Sequence, residues 1–254
     1  MGRTKILDQN RIFETLIQGF CRKENDPEKG LYVLRDFLKI GGILPSSFTF
    51  CCLIHSFSSQ GKMDRVIEVL ELMSSGEVNY PFDNFVCSSV IYGFVTIGKP
   101  ELAVGFYENA VNSGALKANI VTYTALLSAY FRLGRIEEAS EMVARMENDG
   151  LSFDVVFYSN WIYEYFTEGI SEEAFRKYRE MVNAKVKMDV VAYTVLIDGV
   201  SKQGNVEKAV GFLSKMIKNG VKPNLITFTA IMFGFCKRGK LKEAFAFFKM
   251  VEFF

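Results

Sequence analysis

Six glycines recur in near-constant register along the chain: Gly61, Gly98, Gly134, Gly169, Gly204 and Gly239, separated by 37, 36, 35, 35 and 35 residues. Five residues after each comes a small apolar residue: Val66, Ala103, Ala139, Ala174, Ala209 and Ala244. A fixed period of this size means one supersecondary unit stacked many times. Each unit then touches mainly its neighbours and offers the same few positions to the same face, so function is expected on a surface rather than in a pocket.

The period frames units at residues 10–46, 47–83, 84–119, 120–154, 155–189, 190–224 and a truncated 225–254, after a lead-in of residues 1–9. In the sixth unit, Tyr193, Leu196, Ile197 and Val200 fall at i, i+3, i+4 and i+7, one apolar stripe of a helix. Gly204 stops that helix, because glycine takes the left-handed turn without a Cβ penalty. Val206, Ala209, Val210, Leu213 and Met216 form the stripe of a second helix. Its first turn carries Glu207, with counterparts at Asp64, Glu101, Glu137, Glu172 and Glu243, where a negative charge suits the helix dipole. Every unit therefore reads as a helix–turn–helix hairpin, and the fold class as all-α. The first unit has no glycine at its turn, which CRKENDPEKG occupies, and is expected to be a looser cap. The last stops inside its second helix at VEFF, so the chain is expected to be a fragment or to meet further repeats or a partner there.

Composition narrows the classes of function. The net charge of +1 on 254 residues limits any nucleic-acid binding to a local basic stripe. Apolar runs are short and interrupted, which predicts no membrane span. The five cysteines show neither a disulfide framework nor paired CxxC spacing, as in a reducing compartment or organelle matrix. Residues 1–9 resemble neither a signal nor a transit peptide, so any targeting segment is expected to lie outside this sequence. His55 is the sole histidine, which excludes triads and His-rich zinc sites, and the paired acids at helix starts read as dipole partners. No catalytic residue, metal or cofactor is expected. Met73, Met146, Met181 and Met216 recur at one helix position and read as core, as do Cys21 and Cys236.

The units IVTYTALLSAYFRLGRIEEASEMVARMENDG, VVAYTVLIDGVSKQGNVEKAVGFLSKMIKNGVKPN and LITFTAIMFGFCKRGKLKEAFAFFKM resemble the pentatricopeptide repeat family, strongly from residue 84 onward. Near-uniform spacing of 35 is similar to its P-type subfamily. The tetratricopeptide repeat, a 34-residue protein-binding hairpin built on W..LG..Y…A…F…P, fits less well, since Trp161 is the sole tryptophan. The resemblance implies a right-handed superhelical α-solenoid that binds single-stranded RNA in a mitochondrion or chloroplast, one base per repeat.

The resemblance also implies the site. The fifth and last residues of a unit read a base: Ser88 with Asn119 for adenine, Thr124 with Asp154 and Ser159 with Asp189 for guanine, and Thr194 with Asn224 for adenine. Thr229 lacks its partner, and Glu14/Ser46 and Cys51/Asp83 depart from the usual pairs. With RNA running 5′ to 3′ along the chain, the core is AGGA after two unread nucleotides. The second residue of each unit sandwiches bases: Phe48, Phe85, Val121, Val156, Val191 and Ile226. Arg132, Lys202 and Lys237, with Arg22, form a broken basic row for phosphates.

Simpler roles compete with these. A Ser or Thr early in a helix ordinarily bonds locally, and a unit-ending Asp or Asn ordinarily caps the next helix. Recurrence at one register favours readout, and the two roles are compatible. The expected function is sequence-selective RNA binding by occupancy; the alternative is a protein-interaction scaffold, with self-association through the aromatic C-terminal edge.

Overall fold

The computed structural model describes residues 2–40, 45–74, 83–114 and 116–251, with the side chains of 2–10, 40, 74, 250 and 251 outside that description. The expected VEFF edge lies outside the described side chains. Fourteen α-helices and no strand occur among the described residues. The chain divides into two compact units, Met1–Leu151 and Ser152–Phe254.

The first unit holds α1 (Gly2–Gly19), a π-turn (Phe20–Glu24), α2 (Pro27–Ile40), α3 (Ser47–Ser59), α4 (Met63–Ser74), α5 (Asn84–Thr96), α6 (Pro100–Asn112), α7 (Ile120–Arg132) and α8 (Ile136–Asn148). Odd and even helices pair as hairpins, and the first helices stack in series: α1 on α3, α3 on α5, α5 on α7. The lead-in at 1–9 is not separate, because α1 runs unbroken from Gly2. The second unit holds α9 (Val155–Thr167), α10 (Ser171–Asn183), α11 (Val190–Lys202), α12 (Val206–Lys218), α13 (Leu225–Lys237) and α14 (Leu241–Val251). There α9 stacks on α11 and α11 on α13.

The glycine register marks the turns. All six glycines have φ between 66° and 76°, the left-handed region that favours glycine. In one such turn Gly204 N–H donates to Ser201 O (2.8 Å) and Asn205 N–H to Val200 O (2.9 Å), satisfying carbonyls the helix leaves open. The first hairpin reaches the same reversal without glycine: a π-turn carries Asn25 at φ 53°, and Asp26 N–H closes it on Phe20 O (2.9 Å). Gln60 Nε2 then donates to Asn25 O (2.9 Å), tying this turn to the next hairpin. Lys185 holds φ 56° after α10, where α6, α8 and α12 are followed by Gly114, Gly150 and Gly220.

The core follows the two stripes. Val66, Ala103, Ala139, Ala174, Ala209 and Ala244 are all buried, as are Met73, Met146, Met181 and Met216. Cys21 is buried under α3, while Cys236, at the equivalent position of α13, is exposed; no described helix follows α14 to cover it. Stacked first helices approach most closely at glycines the period did not reveal. A Cβ on Gly93 would lie 2.3 Å from Ser58 Oγ, one on Gly199 2.4 Å from the Phe166 ring, and one on Gly234 3.0 Å from Ser201 Cβ. Lys177 is a buried cation, held by Glu180 Oε2 (2.9 Å) and lying 3.6 Å from the Trp161 ring centroid.

Candidate nucleic-acid interface

The unit-ending acids and amides are helix N-caps. Asn119 Oδ1 accepts from Val121 N–H (3.0 Å), Asp154 Oδ1 from Phe157 N–H (2.8 Å), Asp189 Oδ1 from Ala192 N–H (2.9 Å) and Asn224 Oδ1 from Thr227 N–H (3.0 Å). Asp83 does the same for Val86. Each cap satisfies an orphan donor and contributes about 1 kcal/mol. In the two aspartates, only Oδ1 takes part in these caps, so the cap fixes the side chain while Oδ2 stays outside it.

The fifth residues are one turn further along. Ser88 Oγ donates to Phe85 O (3.0 Å), Thr124 Oγ1 to Ile120 O (2.6 Å), Ser159 Oγ to Val155 O (2.6 Å), Thr194 Oγ1 to Val190 O (2.7 Å) and Thr229 Oγ1 to Leu225 O (2.8 Å). Each hydroxyl proton is thus spent on the helix, leaving oxygen lone pairs as acceptors. Ser88, Thr124 and Ser159 are buried, Thr194 half-buried and Thr229 exposed. In the sixth unit fifth and last residues join in one network, since Thr227 Oγ1 lies 2.8 Å from Thr194 Oγ1 and 3.0 Å from Asn224 Oδ1.

The second residues do the opposite of what apolar side chains ordinarily do. Phe48, Phe85, Val156, Val191 and Ile226 are 47–67% exposed, and Val121 is half-buried. Immediate neighbours of the same helices, such as Phe50, Phe157 and Ala192, are fully packed. At α5, α9, α11 and α13 an uncovered apolar group recurs at one register beside a fixed hydroxyl and a fixed cap.

The basic row is less uniform. Arg132 is exposed at the end of α7. Lys202 Nζ pairs with Asp198 Oδ2 (2.7 Å), a bond that raises its pKa, and Lys237 Nζ donates to the Lys202 carbonyl. Arg22 lies 5.0 Å over the Phe48 ring. No group of three or more His, Cys, Asp or Glu able to hold a metal occurs among the described residues. Burial pushes the Cys21 and Cys87 thiols up to about 12, so both are protonated at neutral pH. No helix among the described residues is long and apolar enough to cross a membrane.

Structure also explains one irregular spacing. The 36-residue step between Gly98 and Gly134 arises after α6, where seven residues (Ser113–Asn119) precede α7 and only six (Asp149–Asp154) precede α9. Asn119 still caps α7, so the slip does not displace the Ser88/Asn119 pair from its helices.

Three family models match. That described as "PPR repeat family" covers residues 154–202 and 188–237, "Pentatricopeptide repeat domain" covers 107–166, and "PPR repeat" covers 48–78 and 226–252. A pentatricopeptide repeat-containing protein of Arabidopsis thaliana, named chloroplastic, is 26% identical over 149 residues, 56% of this chain and 18% of its own length. A putative pentatricopeptide repeat-containing protein of the same plant is 29% identical over 101 residues, 39% of this chain and 30% of its own. The chain therefore spans less than a third of these relatives. Among solved structures, maize pentatricopeptide repeat protein PPR10 is similar with TM-score 0.67 at 18% identity, over 95% of this chain and 33% of that one. PPR10 in complex with an 18-nt psaJ RNA element is similar with TM-score 0.55 at 17% identity, over 96% and 45%.

Proposed function

We propose a function from one premise: the chain belongs to the pentatricopeptide repeat family. It binds single-stranded RNA along the row of first-helix N-termini, one base per hairpin, and acts by occupancy rather than by chemistry. One observation carries this reading: α5, α7, α9, α11 and α13 each carry a capping Asp or Asn, a fixed fifth-residue hydroxyl and an apolar second residue that is exposed in all but α7.

Those groups suit splayed bases. Phe48 and Phe85 offer stacking faces worth about 1–3 kcal/mol per base, and Val121, Val156, Val191 and Ile226 offer apolar contact. A carboxylate oxygen outside the cap can accept from guanine donors at Asp154 and Asp189. An amide both donates and accepts, as adenine requires, at Asn119 and Asn224. Ser88, Thr124, Ser159, Thr194 and Thr229 present acceptors beside them. The units 84–119, 120–154, 155–189 and 190–224 then read AGGA, with a purine at Thr229. Arg132, Lys202 and Lys237 contact phosphates. The even 35-residue units support the P-type subfamily, and the chloroplastic relative supports an organellar transcript, with chloroplast or mitochondrion as its compartment.

The test is binding of short RNAs carrying AGGA or CUUC at moderate salt. Preference for AGGA is expected, and Asn224→Asp should move the sixth-unit preference from A to G. Equal binding of the two RNAs would overturn the code.

A second reading, a protein-interaction scaffold, is favoured by an apolar cavity of about 510 Å³ between α12, α13 and α14, lined by Leu213, Ile217, Phe228, Phe235 and Phe247. A concentration-dependent dimer in sedimentation, without RNA affinity at low salt, would select it.

A further inference from the structure

The first hairpin departs from the others, and beside its departure lies a cavity of about 510 Å³, enough for one nucleotide. It is lined from the π-turn by Arg22 and Asn25, and from α3 by Phe48, His55, Ser56 and Ser59. We propose that this cavity is a binding site for a nucleoside 5′-monophosphate, with the base on Phe48 and the phosphomonoester on Arg22 and His55.

Four observations converge. The wall contains a hydroxyl with no partner: Ser56 is 6% exposed and its Oγ makes no hydrogen bond, a lack shared among the buried side-chain polar atoms of the described residues with Ser201 Oγ alone. The one residue of fixed charge in the lining is the cation Arg22, and no carboxylate is among the lining residues. Asp83, whose charge reaches the lining thiol of Cys51, is engaged as the N-cap of α5. The π-turn holds Arg22 5.0 Å over the Phe48 ring, so an aromatic face and a guanidinium sit together without an ion pair between them and any lining acid. π-Segments often mark functional sites, and this one is fastened by Gln60 to Asn25.

Strand polarity agrees with this arrangement; here the inference rests on the RNA reading above. A nucleotide on Phe48 belongs to the hairpin immediately before the AGGA units. Its 5′ phosphate points toward the preceding hairpin, which is where Arg22 lies. A strand beginning at that nucleotide presents a terminal monoester, carrying more charge than an internal diester, to two cationic or donor groups. A free nucleoside monophosphate presents the same chemistry.

The experiment compares 3′-labelled UAGGA carrying a 5′-monophosphate with the same RNA carrying a 5′-hydroxyl, using the full chain, with AMP as a third ligand. The expected result is about tenfold tighter binding of the phosphorylated RNA, the scale of one charge-assisted contact. Arg22→Gln and, separately, His55→Gln should bring that ratio toward one, with unchanged helical content by circular dichroism. Arg132→Gln, outside the cavity, should weaken both RNAs alike and keep the ratio. AMP binding that Arg22→Gln abolishes would support the site with a free nucleotide as its source, even if no RNA bound. Equal affinity for both 5′ ends together with no AMP binding would overturn the proposal, while a retained preference for AGGA over CUUC would leave the RNA reading intact.

Discussion

Asp189 separates capping from base reading, because its two oxygens are assigned to different tasks. Oδ1 accepts from Ala192 N–H at 2.9 Å, and Oδ2 is the oxygen left for guanine. Asp189→Ala removes both and should cost about 1 kcal/mol of stability through the lost cap. For a chain of this size that is a fall of about 2–4 °C in Tm. Asp189→Asn keeps an oxygen for Ala192 N–H, and asparagine caps about as well as aspartate, so Tm should change by a fraction of that. Its effect should fall on recognition: the preferred core should change from AGGA to AGAA, with discrimination of about 1–3 kcal/mol, roughly 5- to 150-fold in Kd. The melting assay is fluorescence of Trp161, the sole tryptophan, which lies in the same compact unit as Asp189. Recognition is read by anisotropy of labelled RNAs differing at that base. An Asp189→Asn chain that still prefers guanine would refute the assignment of Oδ2. One that melts as early as Asp189→Ala would refute the cap as the source of the stability change.

Other sites give independent tests. Gly199→Ala should destabilise the second unit in chemical denaturation: overpacking against Phe166, about 1–3 kcal/mol, outweighs the helix-propensity gain of about 1 kcal/mol, and Phe166→Leu should recover part of the loss. Lys185→Gly should raise stability by about 0.5 kcal/mol, since left-handed geometry costs a side chain about 1–2 kcal/mol while glycine loses more entropy on folding; a lower midpoint would contradict it. Lys177→Met, of similar length, should be neutral or stabilising because it removes a buried charge, whereas Trp161→Leu in the presence of Lys177 should be strongly destabilising by circular dichroism. RNA affinity should fall with salt at a log–log slope of about −2, as three phosphate contacts to single-stranded RNA imply; a slope several times steeper would require cations outside Arg132, Lys202 and Lys237.

What could be read from sequence was whatever repeats. The turn glycines, the alanines and methionines of the second helices, and the acids of their first turns are each visible because four to six copies share one constraint. Gly93, Gly199 and Gly234 do not announce themselves by repetition, because Ala129 and Glu164 stand at the same register and break the pattern. The π-turn was illegible for a different reason: Asn25 reaches a left-handed conformation that its residue type permits without announcing. The partnering of Lys202 by Asp198 and of Lys237 by a carbonyl depends on side-chain reach, which spacing does not encode. The exposure of Phe85 and Ile226 depends on what the neighbouring hairpin fails to cover, and no property of a single unit records that.

The additional residue between α6 and α7 shows where this chain tolerates a change of length. Helices α5 through α13 are each 13 residues long, so variation is shed into the seams between a second helix and the next cap. Because each cap belongs to the helix that follows it, residues inserted upstream leave its hydrogen bond in place. Doubling such a short seam costs only about 0.6 kcal/mol in closure entropy. A peptide tag or fluorophore attachment site placed between Gly150 and Phe153 would therefore be carried as a pendant, giving a labelled protein whose folded hairpins are those of the parent.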